Sequence, residues 1–336
     1  MKKVWMGISL LLLTAGFILT GHPSALSAES IRSFQVTYEV RLPSIPADAG
    51  ELKVWIPLAG SDRYQKIRRR VIKAPFPYRV TKDLQYGNDI LFLDVRRPLP
   101  QALELSIQYD ARVQESRSQL EKAAPVILPA QQRQMERYLT SNRLMLVNGE
   151  IHKLAETVTR DAKTPAEKAQ AIYRYVIERM RYDKQTPGWG KGDTMRACAV
   201  GAGDCTDFHS LFISLARASG IPARFTIGLP VPEKPEGEIP GYHCWAEFYL
   251  SGVGWIPVDA SEAWKHQEKK DYFFGTYDPN RLAVSTGRDI SLVPKPAAGE
   301  PVNIFFFPYA ELDGKSVEKE KIQTKFHFRD LAKRMK

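Results

Sequence analysis

The hydrophobic periodicity of this chain changes once, and that change limits what it can fold into. Between residues 31 and 114 the apolar positions recur in twos: Phe34, Val36, Tyr38 and Val40 alternate with Gln35, Thr37 and Glu39, and Leu103, Leu105, Ile107 and Tyr109 repeat the pattern. The β-branched and aromatic runs at 52–57 and 90–95 are cut at short intervals by Pro, Gly, Asn and Asp, the punctuation of an all-β sandwich. From Thr164 onward the period is helical. Thr164, Pro165, Ala166 and Glu167 form a capping box with Pro at the first helical position, and Ala169, Ile172, Tyr173, Val176, Ile177 and Met180 follow at three- and four-residue spacing. The expected class is α+β, with a β module preceding a module that opens on helices.

At 336 residues there is material for about two domains, and a composition of 43% hydrophobic and 26% charged residues excludes collagen-like, low-complexity and disordered classes. The net charge of +10 favours acidic or membrane-surface partners without naming one. Arg68, Arg69 and Arg70 read as a solvated edge, and no repeat, P-loop, dinucleotide fingerprint or nucleic-acid motif is present, so no nucleic-acid partner is expected.

Lys2 and Lys3 precede an apolar run from residue 4 to about residue 20, and Ser24, Ala25, Leu26, Ser27 and Ala28 follow, the shape of a secretory leader cleaved after Ala28. The competing reading is a membrane anchor through residues 4–20, a run close to the roughly 17-residue minimum for a span. Cleavage takes away two lysines and no acid, leaving +8, and no second long apolar run exists. The mature chain is therefore expected to be exported to the periplasm or exterior without a transmembrane span. The division that follows is leader 1–28, β-sandwich 29–118, partly helical linker 119–149 with a short helix near 131–139, second module 150–290, and C-terminal strands with a charged tail 291–336. Within the last, residues 289–293 and 302–308 read as strand-like, with Phe305, Phe306 and Phe307 as a buried strand.

The chemistry concentrates after a glycine-rich loop, Gly188 to Gly192. Gly203 and Asp204 precede an apolar stripe, Phe208, Leu211, Phe212 and Leu215, that stops at Gly220, which starts a helix at about Cys205. Free amide donors and the dipole at a helix N-terminus stabilise a thiolate. Alone, such a cysteine is as compatible with an inert buried thiol. Two strands further on add weight. His243, Trp245, Glu247 and Tyr249 share one face of a strand, and Trp255, Pro257 and Asp259 share one face of the next. A connection with an odd residue count puts Tyr249 opposite Trp255 and brings His243 diagonal to Asp259, within reach of its carboxylate. His209, four residues after Cys205, competes as a base, but a rigid intrahelical pair leaves no cleft between thiol and imidazole. Glu247 and Tyr249 read as solvated positions.

The order GDCTDF at a helix start, then YHCWAEFYL, then GWIPVDAS resembles the transglutaminase-like branch of the papain-fold cysteine enzymes, over about residues 150–290. The resemblance implies a papain-like core of helices packed on an antiparallel sheet, with Cys205 as nucleophile, His243 as base and Asp259 as the residue that orients it. It implies acyl transfer from an amide or peptide carbonyl through a thioester, to water or to an amine, with no cofactor. The substrate would be a protein or peptide, cell-wall peptides among the candidates. A protease or amidase using water alone, and a non-catalytic scaffold on the same fold, are the alternatives. The expected oxyanion donors are the Cys205 amide and one group from the loop holding Trp189. Trp189 and Trp245 are expected to wall the acyl site. Cys198 and Cys244, both near the site in an exported chain, are expected to pair as a disulfide; a zinc site is disfavoured because the spacing fits no common ligand framework.

Overall fold

The computed structural model describes Met1, residues 30–124 and residues 133–332. The leader from residue 2, the start of the linker helix at 131–132 and the terminal Lys333, Arg334 and Lys336 lie outside the described residues. Of the linker helix, residues 133–135 are helical and a 3-10 turn follows at Glu136–Tyr138.

The alternating segments form β1 (Ile31–Leu42), β2 (Glu51–Leu58), β3 (Gln65–Lys73), β4 (Tyr78–Lys82), β5 (Asp89–Arg96) and β6 (Leu103–Gln114). β1 and β6 are antiparallel with Val36 opposite Tyr109 and Tyr38 opposite Ile107, so that the apolar sets of both strands stack on one face. After β7 (Ser116–Arg117) the helical module begins with α1 (Gly149–Val158) and α2 (Pro165–Arg179). Thr164 caps α2 as its sequence announces: Oγ1 accepts from the Glu167 amide at 3.2 Å and Oε2 of Glu167 accepts from the Thr164 amide at 3.1 Å. Then come β8 (Arg181–Tyr182), α3 (Thr194–Val200), β9 (Ala202–Gly203), α4 (Cys205–Ala218), β10 (Ala223–Pro230), β11 (Glu236–Glu238), β12 (His243–Leu250), β13 (Gly254–Val258), α5 (Ala260–Lys265), β14 (Thr276–Tyr277), β15 (Arg281–Thr286), β16 (Tyr309–Leu312), β17 (Lys315–Ser316) and β18 (Gln323–Asp330).

Two five-stranded sheets, β11-β18-β1-β6-β3 and β17-β16-β2-β5-β4, make the sandwich. Residues 291–336 thus contribute strands to the N-terminal module: β18 pairs with β1, Val36 opposite Phe328 and Tyr38 opposite Phe326, and β16 pairs with β2. The helical module is inserted between β7 and β16. Before rejoining, the chain crosses the outer face of the second sheet, where Ile290, Leu292 and Phe305 pack with Trp55, Ile90 and Phe92. The strand-like reading of residues 289–293 and 302–308 is corrected here. Only a bridge between Ile290 and Val302 forms, and pairing with β2 starts at Tyr309, after Pro308. Phe305 and Phe306 are buried from a loop, each filling its own site, rather than by alternation on a strand.

The inserted module is built on the antiparallel sheet β13-β12-β10-β15 with α4 against it. α4 is buried on all sides from Cys205 to Arg217. Its polar side chains are accordingly bonded: Ser210 Oγ donates to the Thr206 carbonyl at 2.8 Å, and Ser214 Oγ lies 2.8 Å from Thr194 Oγ1.

Candidate active site

Cys205 is the first residue of α4. The chain enters the helix through β9, clamped in parallel to β8 with Gly203 beside Tyr182, and through Asp204, whose Oδ1 accepts from the Thr206 amide at 2.8 Å. Asp207 completes the cap and also ties down the glycine-rich loop. Its carboxylate accepts from the amides of Asp204 (3.1 Å), Gly190 (2.8 Å) and Gly192 (3.1 Å). Gly203 must be glycine because a Cβ there would lie 2.2 Å from Asp207 Oδ2. Gly192 combines a φ of +64° with a Cβ position 2.5 Å from both Arg288 and Ser210, whose contact anchors the loop against α4.

β12 and β13 pair with Tyr249 opposite Trp255 and Ala246 opposite Val258, the register that an odd connection requires. That register brings His243, at the start of β12, to Asp259, the residue after β13: His243 Nε2 and Asp259 Oδ2 are 2.6 Å apart. Nε2 being engaged, the other ring nitrogen serves Cys205, whose sulfur is hydrogen-bonded to the His243 imidazole. Asp259 also caps α5, with Oδ1 accepting from Ser261 Oγ (3.1 Å) and the Glu262 amide (3.0 Å). A fourth partner has no sequence signal: the buried Arg281 guanidinium stands 3.2 Å from the same Oδ2 that holds His243. An arginine at the start of a strand reads as solvated until the fold closes over it.

The charges are coupled. Cys205 is drawn well below the ordinary thiol range, first by the hydrogen bond from Cys244, against the pull of burial, and then by the hydrogen bond and charge of His243. Burial pushes the Cys244 thiol well up, so it keeps its proton and acts as a donor. Burial disfavours an imidazolium at His243, but the Asp259 carboxylate, joined by Cys205, carries its pKa up to about 10. Burial likewise disfavours charge on Asp259, and the His243 cation with Arg281 holds the carboxyl well below the carboxylate range. Both shifts run toward a thiolate beside an imidazolium, each charge favouring the other.

Cys205, Asp204, His243, Arg281, Tyr182 and Tyr242 line a cleft of about 570 Å³. A groove of about 490 Å³ on the sandwich, lined by Glu39, Arg41, Lys73 and Glu104, has no nucleophile, so chemistry rather than size distinguishes the two. His209 is not a competing base. Its Nε2 accepts from the Ala260 amide at 3.1 Å, which leaves the Nδ1 proton facing Cys244 Sγ at 3.8 Å.

Three expectations are corrected. Cys198 and Cys244 are free thiols: Cys244 points at α4, with Sγ 3.7 Å from Thr206 Oγ1, whereas Cys198 lies on α3 in the field of Arg179 and Glu150. Trp245 does not wall the cleft. It is fully buried beneath Arg281, whose guanidinium carbon is 4.9 Å from its ring, and beside Tyr277. Trp189 is 37% exposed and outside the cleft lining, with Lys184 Nζ 5.7 Å from its ring. Glu247, read as solvated, is buried and paired with Arg224 at 2.7 Å. One cause underlies the Trp245 and Glu247 corrections. β12 is an inner strand, and its second face is covered by Tyr277, itself stacked at 4.3 Å on Tyr64 of the sandwich.

A protein of Haemophilus influenzae described as uncharacterized is 28% identical to this chain over 333 residues, 88% of this chain and 89% of that one. A solved structure described as a "putative cysteine protease" from Cytophaga hutchinsonii superposes with a TM-score of 0.62 at 17% identity, covering 91% of this chain and 93% of that one, a likeness of fold. Residues 152–260, which contain Cys205, His243 and Asp259, match the family model of the transglutaminase-like superfamily, so the chain carries a transglutaminase-like domain, set between the strands of a β-sandwich.

Proposed function

We propose that the protein is an exported cysteine acyl-transfer enzyme acting on amide or peptide carbonyls. The Cys205 thiolate attacks the carbonyl carbon, the imidazolium of His243 gives its proton to the departing amine or ammonia, and a thioester remains on Cys205. Water or a second amine, deprotonated by the now neutral imidazole, then takes the acyl group. Asp259 fixes the ring so that one nitrogen faces the sulfur, and stabilises the cation that forms again in the second half.

The observation that supports this most directly is the 2.6 Å contact between His243 and Asp259, made beside a thiol at a helix N-terminus in an open cleft. A scaffold would have no use for a buried thiolate and imidazolium held against their desolvation cost. The test is a panel of glutamine-containing and cell-wall peptides with the mature chain, with and without an added primary amine, followed by mass spectrometry. Loss of ammonia or peptide cleavage in the wild type and none in Cys205→Ala supports the reading, and equal activity in the two proteins overturns it. Product carrying the added amine identifies transamidation, and free acid identifies hydrolysis. Export is tested by the mass of the secreted chain, which should begin at residue 29.

A further inference from the structure

The charge surplus of the chain is concentrated in one place. Residues 66–82 hold seven cations and no acid, in a chain whose net charge is +10. All seven lie on β3 and β4, which are the free edges of the two sandwich sheets. Both edges are on the same side of the sandwich: Arg70 of β3 donates to Asp89 Oδ2 at 3.0 Å, and Lys82 of β4 holds the other oxygen of that carboxylate. Lys66, Arg68, Arg69 and Lys73 are exposed and have no carboxylate partner among the described residues. Nearby acids do not cancel them. On β6, Asp110 beside Arg69 is matched by Arg112 beside Lys66. Asp83 is buried, its oxygens accepting from the amides of Gln85 (2.9 Å), Tyr86 (2.7 Å) and Asn88 (2.6 Å).

Exposed apolar side chains stand among these charges. Tyr78 and Val80, on one face of β4, are 42% and 43% exposed, and Leu84, in the turn between β4 and β5, is 88% exposed. That turn is fixed by the Asp83 bonds and by Asn88, which is bonded to the amide and the carbonyl of Thr286. Charged edge strands also serve to prevent strand pairing, but a charge of either sign does that, and the bulge at Arg68 already interrupts β3. Exposed Tyr78, Val80 and Leu84 work against such protection. A soluble polyanion would engage the cations and leave Leu84 in water. A lipid surface uses both, with headgroup phosphates for the cations and the acyl boundary for the apolar tips.

We propose that the β3–β4 edge of the sandwich docks on an anionic phospholipid surface, its cations on the headgroups and Leu84 entering the interface. None of these residues lines the cleft that holds Cys205, so the proposal stands apart from the acyl-transfer reading.

The test is co-sedimentation of the mature chain with phosphatidylcholine vesicles, with and without about 30% phosphatidylglycerol, at about 0.05 and 0.5 M NaCl. Wild-type binding should require the anionic lipid and be lost at the higher salt, a result that needs no variant. Each cation near an anionic surface adds roughly fivefold to partitioning, so Arg68→Glu/Arg69→Glu should weaken binding by at least roughly 25-fold. The equal charge reversal Lys153→Glu/Arg160→Glu, in the helical module, should leave it within about threefold. Leu84→Ser should weaken it several-fold with the salt dependence unchanged. The variants are compared at equal Tm. Absence of binding to the anionic vesicles at low salt, an equal loss in the two reversals, or unchanged affinity in Leu84→Ser overturns the proposal. Retention on heparin without binding to vesicles assigns the edge to a soluble polyanion and overturns it as well.

Discussion

Replacing His243 with alanine tests the electrostatic core of the site. In the wild type the Cys205 thiol lies well below its ordinary range and His243 titrates near 10, so the thiolate persists across neutral pH. Iodoacetamide alkylation should then change by less than about threefold between pH 6 and pH 9. Without the imidazolium, Cys205 keeps its helix N-terminus and the Cys244 donor, but burial opposes its charge. If the thiol returns to roughly 8.5, the thiolate fraction grows from about 0.3% at pH 6 to about 24% at pH 8, a rise of roughly 80-fold in rate. The shape of the profile decides, not the rate at one pH. A thiolate of lower pKa is intrinsically less nucleophilic, with a slope of about 0.4–0.5, so gain in ionised fraction and loss in reactivity partly cancel near neutrality. The assay is the second-order alkylation rate by intact mass at half-unit steps, with Asp259→Asn as a companion that keeps the imidazole but loses its carboxylate. A flat profile in His243→Ala, or a wild-type profile rising with a midpoint near 8.5, would refute the ion-pair description.

Three further outcomes follow from the surrounding residues. Burial, then the charge at Cys205, raises the Asp204 pKa to about 6. The folded state thus holds that proton more tightly than the unfolded one, and stability is lost as pH rises from about 3.8 to about 6. Asp204→Asn keeps a competent N-cap and should gain about 2 kcal/mol in urea unfolding at pH 8, with the gain vanishing below about pH 4. Arg281→Met removes the cation that shares Asp259 Oδ2 with His243, and should cost about 3 kcal/mol of stability. It should also move the alkaline limb of alkylation to higher pH, since a neighbouring positive charge no longer opposes the imidazolium; Arg281→Lys should restore most of the limb. Arg32, on β1, donates to the carbonyls of Val231 (3.0 Å), Pro232 (2.7 Å) and Lys234 (3.0 Å) and to Asn280 Oδ1 (2.9 Å). Arg32→Ala should raise KM several-fold with kcat retained and speed amide exchange in residues 231–236, while an unchanged KM would contradict the link.

The relation of sequence to site divides along the range of the interactions. Cys205 at a helix start and the approach of His243 to Asp259 are legible because each depends on a few neighbours: a cap, a period, and a register fixed by one hairpin. The capping box at Thr164 is legible for the same reason. What surrounds those residues arrives from far along the chain. Arg281 reaches Asp259 from β15, and Tyr277, which makes Trp245 core, comes from β14 against Tyr64 of the sandwich. Cys198 and Cys244 invite a bridge when only their proximity in sequence to Cys205 is visible, and the fold assigns them to different environments.

The sandwich follows the same logic, and its consequence is functional. Neither β1 nor β2 signals that a partner lies far along the chain, with Val36 opposite Phe328 and Val54 opposite Ala310, yet β18 and β16 close the two sheets only after the inserted module has been made. The insertion is tied down along its length. Tyr64 Oη donates to the Trp255 carbonyl at 2.8 Å, and Gln65 brackets Ala283, accepting from its amide at 2.8 Å and donating to its carbonyl at 2.9 Å. Asn88 does the same to Thr286 at 2.7 and 2.8 Å. These bonds hold β13 and β15, the two edge strands of the sheet that carries His243, while Arg32 holds the cleft rim. Asp259 follows β13 and Arg281 opens β15, so the sandwich grips the strands that place the carboxylate and its cation. A β module that seems separate in sequence is, in the folded chain, part of what keeps the 2.6 Å contact at His243 in place.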